Sequence, residues 1–280
     1  MKPAISAVIL TLNEEANLAR CAESLRWCRR ICVMDSGSTD GTATRAKDLG
    51  LEFFEHRQTP PFLIDRQRNW ALENCGFAQG EWVLFLDADE TVPAKLAQLL
   101  LELVSRPRKP GDPPAYELTP RYLFWGRWLR RTQGYPNWHP RLARAGQARF
   151  TSGVWEEFEP GIRVGRIQEP YDHHANSKGF RDWLERHDRY STWEAEGIVR
   201  YLETKSPAAF GTGRKAGQRT QAARCWPLRP VAKFLYLYVW RRGFLEGKEA
   251  LVFSLSMAFY EWMTVMKVAE MLRKKKGLPL

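Results

Sequence analysis

The stretch Leu84-Phe85-Leu86-Asp87-Ala88-Asp89-Glu90 constrains this chain more than any other, because three apolar residues with strand character run straight into three carboxylates within four positions. Carboxylates so close repel one another and displace each other's pKa values, so the cluster needs a cation or a basic group beside it. A divalent metal is the simplest compensation. Asp87 and Asp89 lie two apart, so a bend beyond the strand aims both at one hard cation. Two carboxylates, waters and phosphate oxygens are the usual coordination set of Mg²⁺ or Mn²⁺.

The residues before that stretch alternate strand and helix patterns. Ile5 to Leu10 is a nearly continuous apolar run, as a buried parallel strand requires, and Asn13 is placed to cap a helix running to about Trp27. Ile31 to Met34 reads as a second strand, ending in the loop Asp35 to Gly41, where Asp40 can cap a helix reaching Leu49. Leu51 to His56, a helix from about Leu63 to Ala78, and a strand from Trp82 to Leu86 complete the series. Such alternation predicts an α/β domain with a mainly parallel, Rossmann-like nucleotide-binding sheet. Ligands of these sheets gather beyond the carboxyl ends of the strands, where Thr11, Asn13, Asp35, Asp40, Asp87 and Asp89 all fall. A nucleotide or sugar-phosphate site is expected there.

Later segments carry further candidates. Tyr122 to Arg131 interleaves aromatics with arginines, as either a covered sheet edge or a floor that stacks on a sugar or base. Arg141 offers a planar cation suited to a pyrophosphate. Glu156 and Glu157 sit among apolar neighbours, which raises a carboxyl pKa toward that of a useful general base. Glu156 is the candidate base, with Glu157 and Glu90 in reserve. Asp172-His173-His174 can complete a metal shell with an imidazole, and His174 is the candidate.

Charge separates the tail from the rest. The net +11 lies entirely in residues 200–280, with 16 Lys/Arg against 5 Asp/Glu, while residues 1–199 balance at 27 of each. We read 1–205 as the nucleotide-binding domain, 206–230 as a basic Gly/Pro-rich connector containing the loop Gly211 to Gly217, and 231–280 as an amphipathic helical tail. The apolar runs Val231–Trp240 and Ala250–Met266 are short or interrupted for a membrane span, and basic clusters flank them. That pattern suits peripheral contact with an anionic membrane surface; the alternative is a core helix pair with solvated charges. No nucleic-acid recognition motif accompanies the charge. Five cysteines without paired spacing read as reduced thiols, and no basic-plus-apolar leader precedes the first strand, so a cytoplasmic setting is expected.

Taken together, Thr11-Leu12-Asn13-Glu14-Glu15, Asp35 to Asp40, Arg68-Asn69-Trp70-Ala71, Gly80 through Glu90, Arg141-Leu142, Trp155-Glu156, His174 and Arg189-Tyr190-Ser191-Thr192 resemble the family 2 glycosyltransferases of GT-A fold. The likeness is to bacterial lipopolysaccharide core glucosyltransferases in particular, and it extends to Gly243-Phe244-Leu245-Glu246-Gly247. It implies an inverting transfer from a nucleotide-sugar donor, most simply a UDP-sugar, to a glycan or glycolipid acceptor at the inner face of the cytoplasmic membrane. It also implies a metal on Asp89 with Asp87 nearby, Thr11, Asn13, Glu14 and Asp40 around the nucleoside, and Arg68 and Arg141 facing the diphosphate. Two positions depart from relatives: Trp155 stands where a His is frequent, and Arg68 where a Lys is. A sugar-1-phosphate nucleotidyltransferase is the rival reading, although Thr11 to Asn17 lacks its Gly-rich basic loop. A non-catalytic, membrane-associated sugar-nucleotide-binding module is the other.

Overall fold

The apolar runs near the N-terminus form strands because they can be covered on both faces. The first unit comprises β1 (Ile5–Thr11), α1 (Glu15–Glu23), β2 (Arg30–Asp35), α2 (Thr42–Asp48), β3 (Glu52–Glu55), α3 (Ile64–Asn74), β4 (Trp82–Asp87), β5 (Glu90–Thr91), α4 (Ala94–Ser105) and β6 (Ala115–Phe124). After β7 (Arg127–Trp128), which belongs to the second unit, come β8 (His139–Arg144), β9 (Phe150–Thr151), β10 (Glu157–Phe158) and β11 (Val164–His173). This computed structural model describes residues 5–60, 62–153, 156–210 and 216–280. Val154, Trp155 and the core of the basic loop, residues 211–215, lie outside the described residues.

The main sheet runs β3-β2-β1-β4-β8-β6-β11-β5. Its first three pairings and β6–β11 are parallel; β4–β8, β8–β6 and β11–β5 are antiparallel. Side chains alternate across β1: Ile5, Ala7 and Ile9 join Leu18 and Cys21 of α1 and Leu96 and Leu100 of α4, while Val8 and Leu10 join Ala71 of α3 and Phe85 of β4. Two apolar layers therefore sandwich the sheet, and its carboxyl edge is left to polar groups. Cys21, Cys28, Cys32 and Cys75 are buried free thiols. Burial pushes the thiol pKa values of Cys32 and Cys75 up to about 12.

One local expectation is corrected. Asn13 does not cap α1: it adopts a left-handed backbone (φ 58°), Glu14 occupies the cap position, and the helix ends at Glu23. Within 206–230, α6 (Ala216–Arg224) buries Ala223 and its Arg219 pairs with Glu194.

The second unit, residues 124–134 with 178–280, is helical. It contains α5 (Gly179–Thr204), α6, α7 (Arg229–Phe234) continued by a π turn (Leu235–Trp240), a 3-10 turn (Gly243–Glu246) and α8 (Gly247–Lys275). Helix α5, placed in the first domain by the sequence reading, packs with α8. Ala195, Ile198 and Val199 of α5 meet Ala223 of α6 and Val268 of α8. Arg229 bridges Glu194 (3.1 Å) and Glu261 (2.6 Å) inside the bundle. Glu246 accepts the backbone N–H groups of Arg131 (2.7 Å) and Thr132 (2.8 Å), fixing the 124–134 excursion. Among the described residues no helix is long and apolar enough to cross a membrane.

Candidate active site

Register assembles the site. Thr11 faces Asp35 across β1 and β2, and Leu10 faces Asp87 across β1 and β4, so the polar ends of three parallel strands share one edge. Thr11 Oγ1 donates to Asp35 Oδ1 (2.7 Å), while Asp35 Oδ2 accepts the N–H groups of Gly37 (2.8 Å) and Ser38 (2.7 Å). Asp35 thus shapes the loop after β2 through charge-assisted hydrogen bonds. The left-handed turn at Asn13 swings its side chain onto the same loop, where Oδ1 accepts from Thr39 N–H (2.7 Å). Glu14 N–H donates to Thr42 Oγ1 (2.9 Å), and Asp40 accepts from Thr42 N–H (3.0 Å). Burial would raise the Asp40 carboxyl, but bonds from Thr42 and the Glu15 N–H hold it below its ordinary value. Thr11, Asn13, Glu14, Asp35 and Asp40 form one interlocked rim.

Beside that rim four elements converge. β8 runs antiparallel to β4, so its first residues arrive at the end of β4 and bring Arg141 to the acidic turn. The Arg141 guanidinium contacts Asp87 (3.2 Å), Glu90 (2.8 Å) and Glu156 (2.8 Å). From the inward face of α3, fully buried Arg68 donates to Glu156 (2.7 Å) and lies 3.8 Å from Asp87. Glu90, also fully buried, accepts the Asp87 N–H (3.0 Å) and so pins the turn that carries the carboxylates. Among the described residues, Arg68 Nε and Nη2 and Arg141 Nε are buried donors without a hydrogen-bond partner.

These surroundings displace the acids in opposite directions. Burial lifts Glu90 to about 7 despite Arg141, and burial likewise raises Asp87 against the pull of Arg141 and Arg68. The expectation that apolar neighbours raise Glu156 is overturned. Burial pushes that way, but Arg68, Arg141 and His139 outweigh it and bring the carboxyl down to about 2. Glu157, by contrast, is exposed and bonded to Ser152.

The histidines sort by strand alternation. β11 pairs with β5 so that His173 lies opposite Glu90, and His173 Nε2 sits 3.3 Å from Asp89 Oδ2. Burial would lower its pKa, yet Asp89 and Glu90 hold it up at about 9. His174 instead places Nε2 3.2 Å from Thr91 Oγ1, and burial with Arg20 depresses it. His173 shares the inward face with buried Tyr171, a period-2 signal already present in the sequence. His139, depressed to about 3 by burial and Arg141, had no such signal.

Among the described residues no three His, Cys, Asp or Glu side chains are arranged to hold a metal by themselves. The donor set nevertheless suits a partly hydrated, phosphate-bridged cation. Asp87 and Asp89 keep 33% and 20% of their side chains exposed, and Asp87, Asp89, Glu90 and Glu156 outnumber Arg68, Arg141 and a protonated His173. The aromatic–arginine stretch divides: Phe124 and Leu129 are buried, whereas Trp125 is exposed and stacks on Phe124.

The pattern of "Glycosyl transferase family 2" matches residues 6–186. A lipopolysaccharide core biosynthesis glycosyltransferase, LpsC, of Rhizobium meliloti (strain 1021) is 28% identical over 273 residues, covering 94% of this chain and 91% of its own length. An uncharacterized glycosyltransferase of Rickettsia typhi is 25% identical, covering 98% and 89%. Among solved structures, the glucosyl-3-phosphoglycerate synthase of Mycobacterium tuberculosis with Mn²⁺ and UDP-glucose aligns at TM-score 0.44 and 18% identity over 65% of this chain and 74% of that one, a likeness too distant to argue from. With its parallel strands ending in the acid–arginine cluster and the family pattern covering more than half its length, this chain belongs to glycosyl transferase family 2.

Proposed function

We propose that this transferase moves a sugar from a UDP-sugar to a hydroxyl of a lipopolysaccharide-core or other cell-envelope glycan or glycolipid, with inversion at the anomeric carbon. The observation that carries the reading is the Arg141 fork, which joins Asp87, Glu90 and Glu156 in one cluster beside the Thr11/Asp35 rim. The similarity to LpsC supports a lipopolysaccharide-core acceptor.

Each part has a task. The interlocked loops at Asn13, Glu14 and Asp40 would hold the nucleoside. Arg68 and Arg141 turn toward the diphosphate and neutralise the charge that grows as the glycosidic bond to phosphate breaks. Mg²⁺ or Mn²⁺ on Asp87 and Asp89 would add Lewis-acid neutralisation of the same leaving group. Glu156 takes the proton of the attacking hydroxyl. With two guanidiniums on it, that carboxylate is a weak base; a diphosphate competes for those N–H groups, and each one it withdraws strengthens Glu156 toward the proton. The protein works at the cytoplasmic face of the inner membrane as a peripheral enzyme.

Incubation with UDP-, GDP- and ADP-sugars, with and without Mn²⁺, and measurement of nucleotide release tests the reading. Mn²⁺-dependent UDP release that is lost in Asp89→Ala is the expected result. Pyrophosphate release from a sugar-1-phosphate and UTP would identify a nucleotidyltransferase instead, and no turnover of any donor would favour a binding module.

A further inference from the structure

Besides its buried core, the second unit leaves many large apolar side chains exposed. Of the 23 large apolar side chains exposed among the described residues, 18 belong to it. Four of them, Leu228, Val231, Leu235 and Val239, recur at i, i+3, i+7 and i+11 from the residue just before α7 through its π turn. Another four, Leu255, Phe259, Trp262 and Met266, recur at i, i+4, i+7 and i+11 along α8. Each of these side chains is between 41% and 64% exposed, and α7 packs against α8. Rows at helical spacing normally point into a core; rows left in water mark a surface that something covers.

Charge identifies the covering. The second unit holds 23 Lys/Arg against 10 Asp/Glu, a net of +13, whereas the first holds 20 against 22. At the end of the α7 row Trp240 is 80% exposed, and Phe244 and Leu245 follow on the 3-10 turn. Arg241 Nε donates to the Arg131 carbonyl (2.8 Å), which brings exposed Arg130 and Arg131 beside that apolar tip, and Arg242 is exposed next to it. A tip of Trp, Phe and Leu flanked by arginines matches the boundary between acyl chains and anionic headgroups. A second copy of this chain would set +13 against +13, so self-association through this face is opposed.

We propose that the α7 and α8 rows lie in the headgroup region of an anionic phospholipid bilayer, with Arg130, Arg131 and Arg242 on lipid phosphates. This rests on the peripheral attachment stated above and adds the surface that makes it. The test is cosedimentation of the full chain with phosphatidylcholine vesicles, with and without phosphatidylglycerol, for wild type, Leu235→Glu/Val239→Glu, Leu255→Glu/Trp262→Glu and Arg130→Glu/Arg242→Glu. These positions are exposed, so the variants should fold, and vesicle-free UDP release checks that they do. Wild type should sediment only with phosphatidylglycerol and less at high salt, and each double variant should lose about ten-fold in apparent affinity. If wild type fails to sediment, the attachment falls. If it sediments and all three variants match it, attachment stands and the assigned surface falls. A dimer in ultracentrifugation that Leu235→Glu/Val239→Glu dissociates would give the face to a second copy and overturn the proposal. Absence of UDP release from every form, wild type included, would count against the transferase reading without touching the vesicle result.

Discussion

Each unit buries a cluster of carboxylates and guanidiniums, and the two are built to opposite ends. In the helical unit Glu194 and Glu261 meet Arg219 and Arg229, with Lys233 3.8 Å from Glu261, so cations cover the acids. In the sheet unit four carboxylates face Arg68, Arg141 and His173, and among the described residues three buried guanidinium nitrogens have no hydrogen-bond partner. A saturated network fixes how helices pack; an unsaturated one keeps interaction capacity for something that arrives. On the proposed function, the contrast separates a structural cluster from a reactive one without appeal to fold.

The sharpest way to break it is Glu156→Gln, which should cut transfer by about 10² to 10⁴ while calorimetry finds donor affinity within a few-fold of wild type. Transfer at the wild-type rate would remove Glu156 as base. Next comes Arg229→Met. Leaving Glu194 and Glu261 buried with less compensation should cost about 3–5 kcal/mol in denaturant unfolding, with kcat of the folded fraction unchanged. A fall in kcat at full folding would erase the distinction between the clusters.

Acid titration gives a smaller, signed effect. The folded Glu156 carboxyl lies at about 2 against an ordinary 4.5. Its ionised form therefore contributes stability that is complete above about 4.5 and disappears as pH falls toward 2. Stability curves of wild type and Glu156→Gln should converge over that window; parallel curves would show that the two arginines do not hold it. The smallest effect distinguishes two neighbours: His173→Ala should weaken Mn²⁺-dependent donor binding about ten-fold, and His174→Ala much less. The reverse order would favour His174 over His173 as the histidine that faces the metal.

How much of this was legible in the sequence follows the range of the interactions. β1, β2 and β4 announce themselves because strands covered on both faces need unbroken apolar runs, and the polar residues after them mark the ligand edge. The α5 pattern reads through to 202, and the helix ends at Thr204. What escaped depends on pairings between distant segments. The antiparallel arrival of β8 beside β4 puts Arg141 on three acids, and nothing local to Pro140-Arg141-Leu142 signals it. The same convergence reversed the expected pKa of Glu156, whose apolar sequence neighbours matter less than two cations 88 and 15 positions away. Asn13 misled for a related reason. A residue type favoured at helix caps is also one of the few that tolerates a left-handed backbone, and here the second property prevailed.

Because one planar fork serves Asp87, Glu90 and Glu156 at once, substitutions at these positions and at Arg141 should be strongly non-additive. A change tolerated at one position should depend on what stands at the other three, so laboratory variation here should favour coordinated replacements over single ones. Attempts to retune the enzyme for another leaving group would do better with libraries that vary all four positions together than with stepwise scanning.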